Sequence, residues 1–166
     1  LADSSSELTW REVAQATARI AAQLQRDGLQ RGQAVAILGT SNIPYALVYL
    51  AVVRAGGCAA PLTTSATPAQ LAAMFKDSGA MHLFVDAAKL ADMEGVALGN
   101  VKIVMLENAV DDHPALADWM AEEGARFDAS PPAATDPFNI IYSSGTTGTP
   151  KGIIHSHGMR WHQMAG

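Results

Sequence analysis

Between residues 10 and 26, the apolar positions Val13, Ala16, Ile20 and Leu24 recur every three or four residues. That spacing lines one face of a helix. Thr9 and Glu12 stand at capping-box spacing ahead of it. Asp27-Gly28 closes it, since glycine is free to take a left-handed C-terminal cap. The period then changes. Residues 34–38, Ala-Val-Ala-Ile-Leu, form an unbroken apolar run between Gly32 and Gly39. This predicts a strand buried on both faces, as in a parallel sheet.

The alternation continues to the end of the chain. Asn42 is placed to cap a helix over residues 44–54, Gly56-Gly57 stops it, and residues 58–62 read as the next strand. Thr67, Pro68 and Gln70 start a helix running to about residue 77, with proline in the first turn, where its missing N–H does no harm. Residues 82–85 predict a strand, 87–93 a short helix, 101–106 a strand and 114–123 a helix. Asp111-Asp112-His113 is expected to be the solvated start of that last helix. The small, proline-rich stretch around residues 129–136 is expected to be a linker. Residues 138–142 and 152–157 predict two more strands, and a further element begins at Met159. Strands and helices alternating at this spacing imply right-handed βαβ units. The expected fold class is therefore α/β, a largely parallel, Rossmann-like layered sheet. Ligands in such sheets bind where loops leave the carboxyl ends of strands.

Composition narrows the function. The 166 residues suggest one domain, and 49% hydrophobic with 16% charged residues excludes a disordered tail. Eleven Lys and Arg against sixteen Asp and Glu give a net charge of -5, so no basic field is available for general nucleic-acid binding. The single cysteine, Cys58, excludes an internal disulfide framework and a cysteine zinc site. A reducing, cytoplasmic location is expected. The longest apolar run, residues 46–53, ends at Arg54, so no membrane-spanning segment is expected. No signal peptide is visible, and there is no initiator Met. Both ends are expected to be cut from something longer.

The loop after the strand at 138–142 carries the chemistry. It reads Tyr142-Ser143-Ser144-Gly145-Thr146-Thr147-Gly148-Thr149-Pro150-Lys151-Gly152. Glycines let backbone N–H groups approach an anion, hydroxyls add donors, and Lys151 adds a full positive charge. Each charge-assisted bond to a phosphate contributes about 1.5–3 kcal/mol. The loop is not a Walker A sequence, because Lys151 lies between Pro150 and Gly152 instead of between Gly and Ser or Thr. It is not a dinucleotide fingerprint either, since Gly145 and Gly148 have no third partner at the required spacing. The competing reading is a flexible polar linker of glycine, serine and threonine.

This loop with the following Ile153-Ile154-His155-Ser156-His157 resembles the signature of the adenylate-forming, AMP-binding superfamily. That superfamily includes acyl- and aryl-CoA synthetases, peptide-synthetase adenylation domains and luciferases. Two upstream stretches are similar to its earlier blocks, in order: Leu8-Thr9-Trp10-Arg11-Glu12-Val13, and Arg54-Ala55-Gly56-Gly57-Cys58-Ala59-Ala60-Pro61-Leu62. The resemblance implies that residues 1–166 are the first part of the large N-terminal domain of an adenylate-forming enzyme, most like an acyl- or aryl-CoA ligase. It implies a carboxylic acid substrate, ATP with Mg2+, and coenzyme A as thiol acceptor. It places Ser143, Ser144, Gly145, Thr146, Thr147, Gly148 and Lys151 around the β- and γ-phosphates. Lys151 is the expected catalytic charge as pyrophosphate leaves. The acyl pocket, the acidic Mg2+ ligand and a distal catalytic lysine are implied beyond Gly166, so the fragment alone is expected to be inactive. A peptide-synthetase adenylation domain, a nucleotide-binding module without catalysis and a structural module stay open. A homo-oligomer through exposed fragment surface is expected.

Other residues have blander readings. His155 and His157 alternate on the expected strand, with His162 following, but no carboxylate lies near, and no metal is expected there. His157 is expected to pack or cap. Cys58 reads as a small core residue, and no Gly-x-Ser-x-Gly hydrolase pattern is present. Trp10, Trp119 and Trp161 are too widely spaced for a stacking stripe and are expected in the core or at interfaces.

Overall fold

The capping box written in Thr9 and Glu12 opens α1 (Trp10–Arg26). The Thr9 hydroxyl accepts from the Glu12 N–H at 3.3 Å, and Glu12 Oε2 accepts from the Thr9 N–H at 2.7 Å. The apolar stripe that follows puts Val13, Ile20 and Leu24 in the core. This is seen in a computed structural model that describes residues 1–3, 6–96, 98–143 and 150–165. Among them, β1 (Ala34–Leu38), α2 (Ile43–Arg54), β2 (Cys58–Pro61), α3 (Pro68–Ser78), β3 (His82–Val85), α4 (Ala87–Asp92) and β4 (Lys102–Met105) follow in turn. α3 has its own capping box, between Thr67 and Gln70, and ends at Gly79, whose φ of 63° needs the left-handed conformation. α5 (Leu116–Trp119), β5 (Pro137–Ser143), β6 (Lys151–Ser156) and α6 (His157–Ala165) complete the order.

The strands form one sheet in the order β4-β3-β1-β2-β5-β6. The first five are parallel. All five residues of β1 are buried, as its unbroken apolar run requires. Its side chains alternate between the faces. Val35 and Ile37 join a core with Ile20 and Leu24 of α1 and Val48 and Val52 of α2. Ala34, Ala36 and Leu38 join a second core with Leu71, Met74 and Phe75 of α3. Fully burying each large apolar side chain contributes about 1.5–3 kcal/mol, so these two cores hold the three layers together.

Three expectations are corrected, for His155 with His157, for the helix at 114–123 and for Asp111-Asp112, while the sheet is largely parallel as expected. The strand at 152–157 is β6, and it runs antiparallel to β5 with Ser143 facing Lys151. A parallel return needs a crossover of about a dozen residues, which the connection over 144–150 is too short to supply. β6 ends at Ser156 and His157 begins α6, so His155 and His157 do not share a strand face. The helix expected over 114–123 shrinks to the single turn of α5. The Ala121 N–H bonds to Arg19 O at 3.3 Å and Ala121 O accepts from Arg19 Nε at 2.6 Å, so α1 takes the backbone groups a longer helix would use. Asp111-Asp112 is not a helix start. It is a tight turn in which Val110 and His113 exchange backbone bonds and Asp111 takes φ 50°. The stretch around 129–136 has neither helix nor strand before β5, and Arg31 ties it down through Ser130 O at 3.0 Å and Asp136 at 3.1 Å.

Candidate functional site

β5 and β6 present the ends of the glycine- and hydroxyl-rich loop at the carboxyl edge of the parallel strands. Ser143 closes β5 and Lys151 opens β6, and the two are Cα partners on one antiparallel rung. Both are exposed, so their side chains are free to meet solvent-borne solute. One rung below, Tyr142 faces Gly152. Of the residues expected at the site, the structure thus brings Ser143 and Lys151 together. Ser144, Gly145, Thr146, Thr147 and Gly148 lie outside the described residues.

The rung is tied to α3. The Tyr142 hydroxyl lies 2.9 Å from Met74 O and 3.0 Å from Asp77 Oδ2. Its one proton is shared between two acceptors. Burial, reinforced by Asp77, pushes the Tyr142 phenol well above its ordinary pKa, so it stays protonated as a donor. Gly152 makes room for this contact, since a Cβ there would sit 2.9 Å from both Asp77 Oδ2 and Ile140 Cγ2. Beside the rung is a cleft of about 240 Å³, walled by Thr63, Ser65 and Gln70 on one side and Tyr142, Ser143 and Pro150 on the other. Larger clefts of about 410 and 780 Å³ lie against the N-terminal segment and the start of α2. The small cleft is lined by the Thr63, Ser65, Tyr142 and Ser143 hydroxyls and reaches Pro150, the residue before Lys151. Asp77, Thr63 and Ser65 were invisible to sequence reasoning. Asp77 is 65 residues from Tyr142, and a helix-end aspartate gives no local sign of its partner.

The other candidates have structural contacts. Cys58 is buried, and burial pushes its thiol up to about 11, far from a reactive thiolate. His155 Nδ1 is 3.2 Å from Asn139 Oδ1, while the His157 ring stands edge-on to Phe138 at 5.1 Å. Burial holds the His157 imidazole below its ordinary pKa, against the pull of Asp136. Trp119 is a core residue packed edge-on to Phe84 at 5.2 Å. Trp10 and Trp161 are exposed.

The fold is a mostly parallel α/β sheet whose β5 and β6 flank the segment 144–150 at the carboxyl edge. The AMP-binding enzyme family matches residues 1–166, and the chain belongs to that family. It is 30% identical over 164 residues to the 4-hydroxybenzoate–CoA/benzoate–CoA ligase of Rhodopseudomonas palustris, covering 93% of this chain and 29% of that protein. It is 29% identical over 150 residues to the hybrid PKS-NRPS synthetase pydA of Acremonium sp, covering 90% of this chain and 3% of that protein. Its fold is similar to that of the anthranilate CoA ligase AuaEII, solved in complex with anthranoyl-AMP. The TM-score is 0.86 at 26% identity, covering 93% of this chain and 30% of the other. The chain therefore spans less than a third of each of these three proteins.

Proposed function

We propose that the chain is the phosphate-binding part of an ATP-dependent carboxylic acid–CoA ligase. The full enzyme would join an acyl or aryl acid to AMP with release of pyrophosphate, then transfer the acyl group to coenzyme A. The observation that carries this reading is the Ser143–Lys151 rung at the carboxyl edge of the sheet. In the first step a carboxylate oxygen attacks the α-phosphorus of ATP, and the bond to the bridging oxygen of pyrophosphate breaks. Negative charge grows on that oxygen. Lys151 and Ser143 would stabilise that charge, with the hydroxyl and amide donors that the sequence supplies at residues 144–148. Mg2+ would arrive with the nucleotide. The described carboxylate nearest the rung, Asp77, is engaged by Tyr142 and is not assigned to the metal.

Residues 1–166 are proposed as one N-terminal subdomain, with the stretch around 129–136 as the connector to the phosphate hairpin. The substrate and acceptor are ATP, an acid and coenzyme A, in the cytoplasm. No helix among the described residues is long and apolar enough to cross a membrane. An amino-acid adenylation domain is the second reading, favoured by the similarity to the PKS-NRPS synthetase.

Two measurements test this. Mg-ATP or pyrophosphate should raise the melting temperature of the 166-residue polypeptide, and Lys151→Ala should cut its affinity about tenfold, the loss of one charge-assisted bond. A polypeptide indifferent to both ligands contradicts the phosphate reading. Acid-dependent ATP–pyrophosphate exchange should be absent from this polypeptide, and its appearance would contradict the proposed division of the active site.

A further inference from the structure

The loop ends need a fixed separation if Ser143 and Lys151 are to meet the same phosphate-bearing ligand. Antiparallel pairing gives them one rung, but among the described residues β6 is the last strand of the sheet and has no strand on its outer side. Four of its six residues are exposed. Backbone pairing with β5 alone leaves such a strand free to fray. The β5–β6 pair joins the rest of the sheet through β2, with Ala59 and Asn139 as Cα partners. A tie from outside the sheet would steady the end of this pair, where the rung lies.

α3 supplies it. The Tyr142 hydroxyl reaches Asp77 Oδ2 and Met74 O at 3.0 and 2.9 Å, from the residue directly before Ser143. Gly152, directly after Lys151, leaves the space in which Asp77 sits. The contact therefore ties β5 to α3 at the rung below the loop, with β6 packed close beside it at Gly152. We propose that Tyr142 is a positioning residue of the nucleotide site: its hydroxyl, tied to α3, holds the Ser143–Lys151 rung in the register the phosphates need. This rests on the phosphate reading above. Tyr142 does not touch the ligand. It acts through Ser143 and Lys151.

The test compares the unmodified polypeptide with Tyr142→Phe, Asp77→Asn and Lys151→Ala. Inorganic pyrophosphate and Mg-ATP are titrated calorimetrically, and amide hydrogen exchange is followed without ligand. Tyr142→Phe should raise exchange at Ser143, Lys151 and Gly152 about tenfold and weaken both ligands about tenfold, the loss of one hydrogen bond's worth of order. Asp77→Asn keeps an acceptor for the hydroxyl and should leave exchange and affinity within about twofold of the parent. If Tyr142→Phe leaves exchange at the rung unchanged, the hydroxyl does not position it and the proposal falls. Faster exchange with unaltered affinity also overturns it, since the tie would then serve stability alone. A parent that binds neither ligand, with Lys151→Ala equally silent, sinks the phosphate reading and the positioning role with it. The exchange data then still show whether the tie holds the hairpin.

Discussion

His82 is a residue whose burial has no full compensation. It is 4% exposed, and neither ring nitrogen has a hydrogen-bond partner among the described residues. Its Nε2 lies 3.6 Å from Asp27 Oδ2, too far for a good bond. That oxygen is already taken by Lys102 Nζ at 2.7 Å and Trp119 Nε1 at 3.1 Å. Burial holds the imidazole below its ordinary pKa; Asp27 opposes this and Lys102 adds to it. The Asp27 carboxyl is pushed up by burial, but bonds from Lys102, Gln23 and Trp119 outweigh that and hold it low. The sign follows. The unfolded chain takes the His82 proton first, so stability is complete above about pH 6.5 and is lost as pH falls below it. Carboxylates such as Asp27 add their loss only below about pH 4. The urea midpoint of the parent should therefore drop between about pH 7.5 and about pH 5.5, and that of His82→Leu should drop less. Equal drops would show that His82 is not the group responsible.

At the scale of elements, local chemistry written in the sequence decided most of the outcome. α1, β1 and β3 fall on the expected residues because a capping box, an unbroken apolar run or a glycine stop marks each end. Thr9→Ala should cost about 1 kcal/mol, within the usual range for a lost N-cap, and Thr9→Ser should restore most of it, both read from urea midpoints. No loss in Thr9→Ala would mean that packing alone starts α1. Two of the misses share one cause. Residues 114–123 have a helical pattern, but Arg19 takes both backbone groups of Ala121, and no short window of sequence contains both residues. Asp77 was hidden in the same way. The loop's donors were legible as a motif, whereas the tie that holds the loop's ends comes from α3 and appears only when the sheet is assembled.

Across the whole molecule, burial falls from the centre of the sheet to one edge. β1 and β3 are buried throughout, while Ile153 and Ile154 on β6 are 50% and 59% exposed. Met159, Trp161 and Met164 on α6 are exposed as well. An edge strand offers unpaired backbone groups, and these apolar neighbours add area to whatever pairs with it. Two copies of β6 pairing antiparallel about the midpoint of Ile153 and Ile154 would set Lys151 opposite Ser156 and Gly152 opposite His155. The two lysines would then lie at opposite ends, with no like charges facing each other. The weight-average mass of the 166-residue polypeptide in sedimentation equilibrium should accordingly rise with concentration, and Ile154→Lys should hold it at the monomer value by placing like charges at the pairing axis. A mass that stays monomeric at every concentration would remove the expected homo-oligomer. A rise that Ile154→Lys does not suppress would move the contact away from β6, to the exposed face of α6 or elsewhere.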